Sequence, residues 1–283
     1  MTAFTIILTG LGLLVGSFIG VVVERWPHGE GFARGRSRCD GCGRTLNAAE
    51  MVPLLSWLWL KGQCRTCGAR ISPLLPLLEI GAAAIGGIVG ITLEGLPGAA
   101  GGAEGWLHPT WLATVSVHMA WLVPVSLHLA WAPFGWALLC LAALDYRAMW
   151  LPDRLTLPLL ALGLLIGAAK GQAVLALAGA GIGWALLVLV GGVYERVRGR
   201  AGLGGGDPKL LAAIGAWLGP GALPLVIVAA SVAGLGVAMS MKIAGHKVGG
   251  ATRMPFGTLL ALGACGYFVV LALGEVPAFS ILW

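Results

Sequence analysis

The chain has 283 residues, of which 58% are hydrophobic and only 11% are charged, and its formal net charge is +6. Because a soluble domain carries about 25% charged residues, this composition excludes an ordinary soluble protein and indicates a helical membrane protein with several spans. The basic residues cluster between apolar segments, as they do in loops on the cytosolic side of a membrane, so the positive charge does not predict nucleic-acid binding.

The first predicted span covers residues 1–23, which are apolar and long enough to cross a bilayer. This stretch lacks a basic start, so we expect a retained span rather than a cleaved signal peptide. Gly12, Gly16 and Gly20 recur every fourth residue along it. Such spacing of small residues is typical of a face on which membrane helices pack closely.

A polar insert at residues 24–72 follows this span, and its basic residues predict a cytosolic location. It contains the pairs Cys39/Cys42 and Cys64/Cys67, separated by 21 residues. Four thiolates with this spacing predict a closed tetrahedral zinc site, and a metal ion would stabilise an insert too small for a core of its own. Two disulfides are the alternative, which a reducing cytosol disfavours.

The remaining apolar segments predict an all-α fold, a polytopic membrane helix bundle of about eight spans. Each of these segments is an apolar run bounded by polar, glycine or proline residues. After the first span, they are residues 73–93, 124–144, 154–169, 173–193, 208–220, 222–241 and 256–274.

The orientation of these spans follows from their basic loops, which we expect to lie inside the cell. Because residues 24–72 and 194–206 are both basic, residues 94–145 must cross the membrane an odd number of times. We expect a single crossing there, preceded by an interfacial stretch, and both termini outside. The interfacial stretch is rich in tryptophan: Trp106, Trp111 and Trp121.

Two aspartates stand at the edges of apolar segments. Asp207 ends a glycine-rich turn and precedes Pro208. Asp followed by Pro is also typical of a helix start, so a role as N-cap alone remains open for Asp207. Asp153, which follows Pro152, is interpreted as a cap in the same way. Asp145 lies near the C-terminal end of its segment, where the helix dipole disfavours a carboxylate, which indicates another role.

If Asp145 and Asp207 meet at the membrane surface, they form the pair of an aspartic protease. Two neighbouring carboxyl groups share one proton because both cannot ionise cheaply. The ionised group then takes a proton from the water that attacks a peptide carbonyl, while the protonated group donates to the carbonyl oxygen. The glycines before Asp207, Gly204 and Gly206 among them, would let an extended substrate backbone approach.

Several ordered blocks that together cover nearly the whole chain resemble one family. They are residues 16–18, 21–25, the two cysteine pairs with 53–57 between them, 76–79, 144–153, 204–210 and 254–257. These blocks resemble those of the type IV prepilin peptidases, which are bifunctional leader peptidases and N-methyltransferases among the GxGD aspartyl proteases. The match departs at Gly20, where the family often has Asn, and at Pro208, where a bulkier residue is common.

The resemblance implies that Asp145 and Asp207 are catalytic and that the four paired cysteines bind zinc. Gly204, Gly206 and Lys209 are expected to support the site. The family removes a short basic leader from prepilins or type II secretion pseudopilins at the cytosolic face of the bacterial inner membrane. It then methylates the new N-terminus with S-adenosylmethionine.

The expected domains follow the same resemblance. Residues 1–100, including the insert, would belong to the methyltransferase-associated region, and residues 107–283 would form the membrane aspartyl peptidase domain. The sequence contains no glycine-rich fingerprint for S-adenosylmethionine, so its binding residues stay open. Glu50 and Glu79 are conceivable amine-handling residues, although loop or helix-end charges are the simpler interpretation.

Three further alternatives remain at the level of sequence. Lys209 could orient the substrate or Asp207, or simply lie at the membrane interface. The chain could be a leader peptidase of the same fold without methyltransferase activity. It could also be a zinc-stapled membrane transporter or scaffold, because such proteins place acidic residues near membranes as well.

Overall fold

The computed structural model describes residues 3–31, 37–94, 125–246 and 254–273, and these ranges form nine α-helices joined by turns. Within them, extended backbone is limited to two isolated bridges. The predicted all-α fold is therefore confirmed. The helices are α1 (Ala3–Arg25), α2 (Leu55–Trp59), α3 (Leu74–Glu94), α4 (Trp131–Ala148), α5 (Asp153–Ala169), α6 (Ala173–Arg198), α7 (Asp207–Leu218), α8 (Leu223–Ile243) and α9 (Phe256–Leu273).

Each of the eight predicted spans corresponds to one helix, but the helices differ in length. Five are long and apolar enough to cross a membrane: Ala3–His28, Leu74–Leu93, Val125–Ala148, Ala173–Arg198 and Pro220–Ile243. Helix α7 has only 12 residues. It is therefore about 18 Å long, against a hydrocarbon thickness of about 30 Å. A multi-pass membrane protein is supported, whereas the number of eight spans stays a prediction.

Large apolar side chains point away from the interior on the long helices, as expected of helices that face lipid. Leu14 on α1 is 61% exposed, Leu189 on α6 67% and Leu235 on α8 71%. In water such a surface would drive aggregation, because monomeric soluble proteins rarely expose large contiguous apolar patches. The predicted tryptophan-rich stretch falls within residues 95–124, outside the described residues, so the number of crossings before Asp145 stays a prediction.

The chain divides into two compact units, residues 1–136 and 137–283, with the boundary inside α4. In the first unit, α1 packs along α3. A Cβ atom added at Gly16 would lie 2.5 Å from Glu79 Cα, and one added at Gly12 would lie 2.7 Å from Ala83 Cα. The two backbones thus touch where glycine leaves room, which confirms the predicted packing face.

Helix α7 forms the centre of the second unit, where it contacts α5, α6, α8 and α9. Eleven of its 12 residues are buried. The exception is Lys209, whose side chain is 38% exposed. Such a helix, apolar almost all round, belongs in the interior of a bundle. Trp217 fixes it by donating from Nε1 to the carbonyl oxygen of Leu159 on α5 at 2.8 Å.

The glycine face of α1 generates the first testable prediction. Gly12→Leu places a side chain against the α3 backbone, and overpacking of this kind costs about 1–3 kcal/mol. We expect the midpoint of thermal unfolding in detergent to fall by several degrees. Gly10→Leu is the matched control, because no atom lies within 4 Å of a Cβ at Gly10. An equal effect of both substitutions would contradict the packing role.

Candidate active site and metal centre

The described part of the chain buries three charged side chains, and all three are acids. Glu79 is 8% exposed, Asp145 6% and Asp207 5%. Buried acids in membrane proteins are costly and usually mark functional sites. Asp145 and Asp207 belong to the second unit, and Glu79 belongs to the first.

Asp145 lies in the last turn of α4, and the N-terminus of α9 supplies its hydrogen bonds. Its Oδ2 atom accepts the backbone N–H of Thr258 at 2.7 Å. The Thr258 hydroxyl oxygen lies 3.2 Å from the same Oδ2 and 2.9 Å from the carbonyl oxygen of Ala142. The N-terminus of a helix attracts negative charge, so α9 offsets the unfavourable dipole at the end of α4.

Asp207 is the first residue of α7, and its carboxylate does not cap that helix. The N-cap is Gly206, with no side-chain capping bond. Instead, Asp207 Oδ2 accepts the backbone N–H of Gly204 at 3.0 Å, while the Asp207 N–H donates to the Gly204 carbonyl oxygen at 3.2 Å. The carboxylate is thus held by the glycine turn that precedes the helix, and the N-cap alternative is wrong.

The two aspartates are near enough for the charge of Asp145 to act on the carboxyl group of Asp207. Leu151 lies between the segments that hold them. A Cβ added at Gly206 would be 2.6 Å from Leu151 Cβ, and one added at Gly257 would be 2.8 Å from Leu151 Cδ1 and 3.1 Å from Asp145 Oδ2. Side chains at either glycine would displace Leu151, and one at Gly257 would also crowd the Asp145 carboxylate.

The amino group of Lys209 forms its ion pair with Asp153 and not with Asp145 or Asp207. The Nζ atom lies 2.7 Å and 2.8 Å from the two carboxylate oxygens of Asp153. The predicted capping role of Asp153 is therefore wrong, because Pro152 is the N-cap of α5 and makes no side-chain capping bond. Both partners are exposed, so the pair contributes little to stability.

The four paired cysteines of the insert converge on one point. Their sulphur atoms all lie within 4.8 Å of one another, and the Sγ atoms of Cys39 and Cys67 are 3.7 Å apart. A tetrahedral ion with metal–sulphur bonds of about 2.3 Å holds its sulphurs about 3.8 Å apart, whereas a disulfide needs about 2.05 Å. The cluster therefore fits a metal ion, and all four cysteines are free thiols in the structure.

The two cysteine turns are built alike. In each, the first cysteine donates its N–H to the carbonyl oxygen five residues later and accepts the N–H of a glycine four residues later. That glycine has a positive φ, +68° at Gly43 and +69° at Gly68, which the absence of a Cβ permits. The sequence spacing alone predicts this cluster because the turns are local.

Glu50 and Glu79 have different environments. Glu50 accepts two hydrogen bonds from the Arg44 guanidinium and one from the Asn47 N–H. The Arg44 bonds lower the pKa of Glu50 to about 2. Glu50 is thus a loop charge, as the simpler interpretation predicts. Glu79 is buried in the second turn of α3, and the interpretation as a helix-end charge is wrong for it.

Comparison with known proteins shows which proteins the chain is similar to in the regions of both sites. Residues 11–93 match the bacterial peptidase A24 N-terminal domain, and residues 132–239 match the type IV leader peptidase family. The chain is 34% identical to the prepilin leader peptidase/N-methyltransferase of Aeromonas salmonicida strain A449, covering 88% of this chain and 85% of that protein. Proteins with the same name from Pseudomonas putida and Burkholderia pseudomallei strain K96243 are 33% and 36% identical.

These similarities extend over most of both chains. The match covers 97% of this chain and 93% of the Pseudomonas protein, and 92% of this chain and 82% of the Burkholderia protein. The chain belongs to the type IV leader peptidase family. No solved structure is significantly similar to it. Membership of this family makes the chain an enzyme and sets aside the transporter or scaffold alternative.

The two family matches divide the candidate site residues between them. The N-terminal match contains the four paired cysteines and Glu79, and the peptidase match contains Asp145 and Asp207. Thr258 lies beyond both, and sequence reasoning missed it. The neighbouring block 254–257 could have indicated Thr258. Pro255 precedes the start of α9 and so marks the N-terminus of this helix, where backbone N–H groups have no partner within the helix.

The cysteine cluster predicts that purified protein carries about one metal ion per chain. Cys64→Ser should lower this content strongly, because a closed site needs all its ligands, and elemental analysis measures it directly. Cys265→Ser is the matched control, since Cys265 lies on α9 and is not one of the clustered cysteines. Equal metal content in both variants would contradict the metal centre.

Proposed function

We propose that the chain is an aspartic peptidase of the bacterial cytoplasmic membrane that removes leaders from prepilins or type II secretion pseudopilins and then methylates the new N-terminus. One observation carries the peptidase half. Asp145 and Asp207, 62 residues apart in the chain, are both buried at the ends of two helices. Leu151 lies against both Gly206, which precedes Asp207, and Gly257, which lies against the Asp145 carboxylate. Family membership supports both halves.

The proposed chemistry uses the pair as a unit that shares one proton. The ionised carboxylate accepts a proton from water as the water oxygen bonds to the scissile carbonyl carbon. The protonated carboxyl group donates to the carbonyl oxygen, which gives a neutral tetrahedral diol. When the C–N bond breaks, the protonated carboxyl group gives its proton to the leaving amine and the other carboxylate takes a proton back from a diol hydroxyl, so the original protonation of the pair is restored.

Thr258 and Gly257 are proposed to position Asp145 for this reaction. The Thr258 N–H donates to Oδ2 and holds the carboxylate in place. The Thr258 hydroxyl has one proton, which can serve Asp145 or the Ala142 carbonyl oxygen. The hydroxyl can therefore accept a hydrogen bond from Asp145 when the Asp145 carboxyl group is protonated. It can donate one when that group is ionised, so it can bind Asp145 in both protonation states of the cycle.

The site is proposed to face the cytosol. The last turn of α6 and the loop that leads from it to Asp207 carry Arg196, Arg198 and Arg200 within five residues. Clusters of this kind remain on the cytosolic side. A substrate leader that is basic and cytosolic would then reach the pair without crossing the membrane.

The ion of the cysteine cluster is proposed to be zinc with a structural role. Four thiolates complete its coordination and leave no open position for a substrate. Because the insert is small and its described residues form little regular structure beyond α2, the ion would stabilise its fold. Removal of the metal is therefore expected to affect the insert rather than the aspartate pair.

The methyltransferase half is assigned to residues 1–100, and the peptidase half to residues 107–283. S-adenosylmethionine supplies a methyl group whose bond to sulphur breaks as a bond to the new N-terminal nitrogen forms, with loss of the amine proton. The alternative is a leader peptidase of the same fold that no longer methylates. Mass spectrometry of the product's N-terminus distinguishes the two, because one spectrum reports both cleavage and methylation.

Asp145→Asn and Asp207→Asn should each abolish leader cleavage, since removal of one member of a catalytic unit costs about as much as removal of both. We expect a loss of more than about 1,000-fold for purified protein in liposomes with a prepilin substrate. Gel electrophoresis of the cleaved product measures the rate.

Asp153→Asn provides the control for this pair of variants. It removes an exposed carboxylate in the same unit and breaks only the ion pair with Lys209. Exposed pairs are worth at most about 1 kcal/mol, so cleavage should stay within about fivefold of wild type. Wild-type rates in either Asp145→Asn or Asp207→Asn would remove that residue from the catalytic pair.

Thr258→Val should lower the cleavage rate about tenfold while leaving the backbone bond to Asp145 intact, because a hydrogen bond to a charged group is worth about 1.5–3 kcal/mol. Thr258→Ser, which keeps the hydroxyl, should restore most of the rate. Thr156→Val is the matched control, since the buried Thr156 hydroxyl donates only to the Pro152 carbonyl oxygen at 3.1 Å. Equal losses in the two valine variants would show a general packing effect.

A further inference from the structure

A cavity of about 930 Å³ lies within the first unit. It is bounded by the C-terminal half of α1, the start of α3 and the cysteine insert, and its lining includes Ser17, Gly20, Arg44, Trp57 and Glu79. Pockets for small molecules typically measure about 300–1,000 Å³. The cavity is therefore large enough for a cofactor-sized ligand. It borders the metal centre through Cys39 and Cys64, but its volume far exceeds that of one ion.

Glu79 is the buried acid of this cavity. Its Oε2 atom accepts the backbone N–H of Leu54 at 2.7 Å. Among the residues that the structure describes, none donates a hydrogen bond to its other oxygen, Oε1. A carboxylate that is 8% exposed and half satisfied has high affinity for a cationic group, because burial strengthens its electrostatic interactions.

The segment over Glu79 has an unusual backbone. Leu54 has φ +59° and ψ −50°, and the Leu55 N–H donates to the Pro53 carbonyl oxygen at 2.6 Å. This is a γ-turn of the rare kind with positive φ, which costs energy for a residue with a side chain. Strained backbone of this type concentrates at ligand-binding sites. The bond from Leu54 to Glu79 holds the turn against the cavity.

Two buried donors of the lining have no acceptor. Within the described residues, the buried side-chain nitrogen and oxygen atoms without a hydrogen-bond partner are Arg44 Nε and Trp57 Nε1. Both residues line this cavity. Since buried polar groups are nearly always hydrogen-bonded, their coincidence at one cavity points to a ligand or ordered water that supplies acceptors.

The lining thus offers three kinds of interaction. The Glu79 carboxylate can bind a cation, the unpaired N–H groups of Arg44 and Trp57 can bind acceptor atoms, and the Trp57 indole can stack on an aromatic base. S-adenosylmethionine carries the matching groups: a sulfonium and an ammonium cation, a carboxylate and an adenine ring. We propose that this cavity binds the methyl donor, with the Glu79 carboxylate paired to one of its cationic groups. The assignment rests on the methyltransferase half of the proposed function.

A second source of the same cationic chemistry is the amino group of the cleaved substrate, which the carboxylate could also hold. A purely structural role is the other possibility, in which Glu79 only anchors the Leu54 turn. Glu79→Gln separates these roles. The glutamine carbonyl oxygen can still accept the Leu54 N–H, so the anchor remains while the negative charge is lost.

The test is equilibrium binding of S-adenosylmethionine to the full chain in detergent by isothermal titration calorimetry. Glu79→Gln should weaken binding at least about tenfold, in line with the loss of a charge-assisted interaction. Glu195→Gln, an exposed glutamate near the end of α6, is the matched control and should bind as wild type does. The midpoint of thermal unfolding in detergent should match wild type in both variants, which verifies that they are folded.

A second pair of variants tests the cavity rather than the charge. Ser17→Phe fills part of the lining and should also abolish binding, whereas Ser231→Phe on the exposed face of α8 should not. Unchanged affinity in both Glu79→Gln and Ser17→Phe would overturn the assignment. A second result would also overturn it: Glu79→Gln binds the cleaved product peptide more weakly but binds S-adenosylmethionine as wild type does. That result would assign Glu79 to the amino group that accepts the methyl group.

Failure of the proposed function gives a different result. If wild-type protein cleaves the leader but neither binds S-adenosylmethionine nor methylates the product, the methyltransferase half is wrong and the cavity assignment falls with it. If wild-type protein methylates the product and Glu79→Gln binds S-adenosylmethionine normally, only the location is wrong.

Discussion

The structure depends on how carboxyl groups are buried in an otherwise apolar bundle. Each of the three buried acids accepts a backbone N–H: Asp145 from Thr258, Asp207 from Gly204 and Glu79 from Leu54. Backbone donors satisfy one oxygen without adding a positive charge. The acid keeps its second oxygen and its capacity to bind a proton or a cation, which a buried salt bridge to Lys or Arg would have consumed.

The donors come from places where backbone N–H groups are free. Thr258 lies in the first turn of α9, Gly204 in a glycine turn and Leu54 in a γ-turn. In each case the donor segment must approach closely, and small residues or an unusual φ make that approach possible. The glycines at the aspartate site thus serve the geometry of the protein itself, through Leu151, as well as any approach of substrate.

Local patterns predicted much of this from the sequence. The spacing of the cysteines predicts their cluster because each pair closes a turn of a few residues. The position of Asp145 at the C-terminal end of its helix, where the dipole disfavours a carboxylate, indicated that it has a partner. The identity of that partner, Thr258, depends on tertiary packing 113 residues away. The capping interpretation of Asp153 was wrong for the same reason, since Lys209 reaches it from another helix. Burial of Glu79 likewise arises from the α1–α3 pairing, which no local window contains.

Helix α7 is short, and four other helices contact it. Hydrophobic mismatch affects helices whose sides contact the acyl chains. Such helices tilt, or the bilayer around them deforms, until the helix length matches the bilayer thickness. Because α7 is enclosed, its length is free of that requirement, and its acid-bearing end is insulated from changes in lipid composition. The depth of Asp207 is consequently a property of the surrounding protein shell, so the same arrangement of the two aspartates can persist in membranes of different thickness.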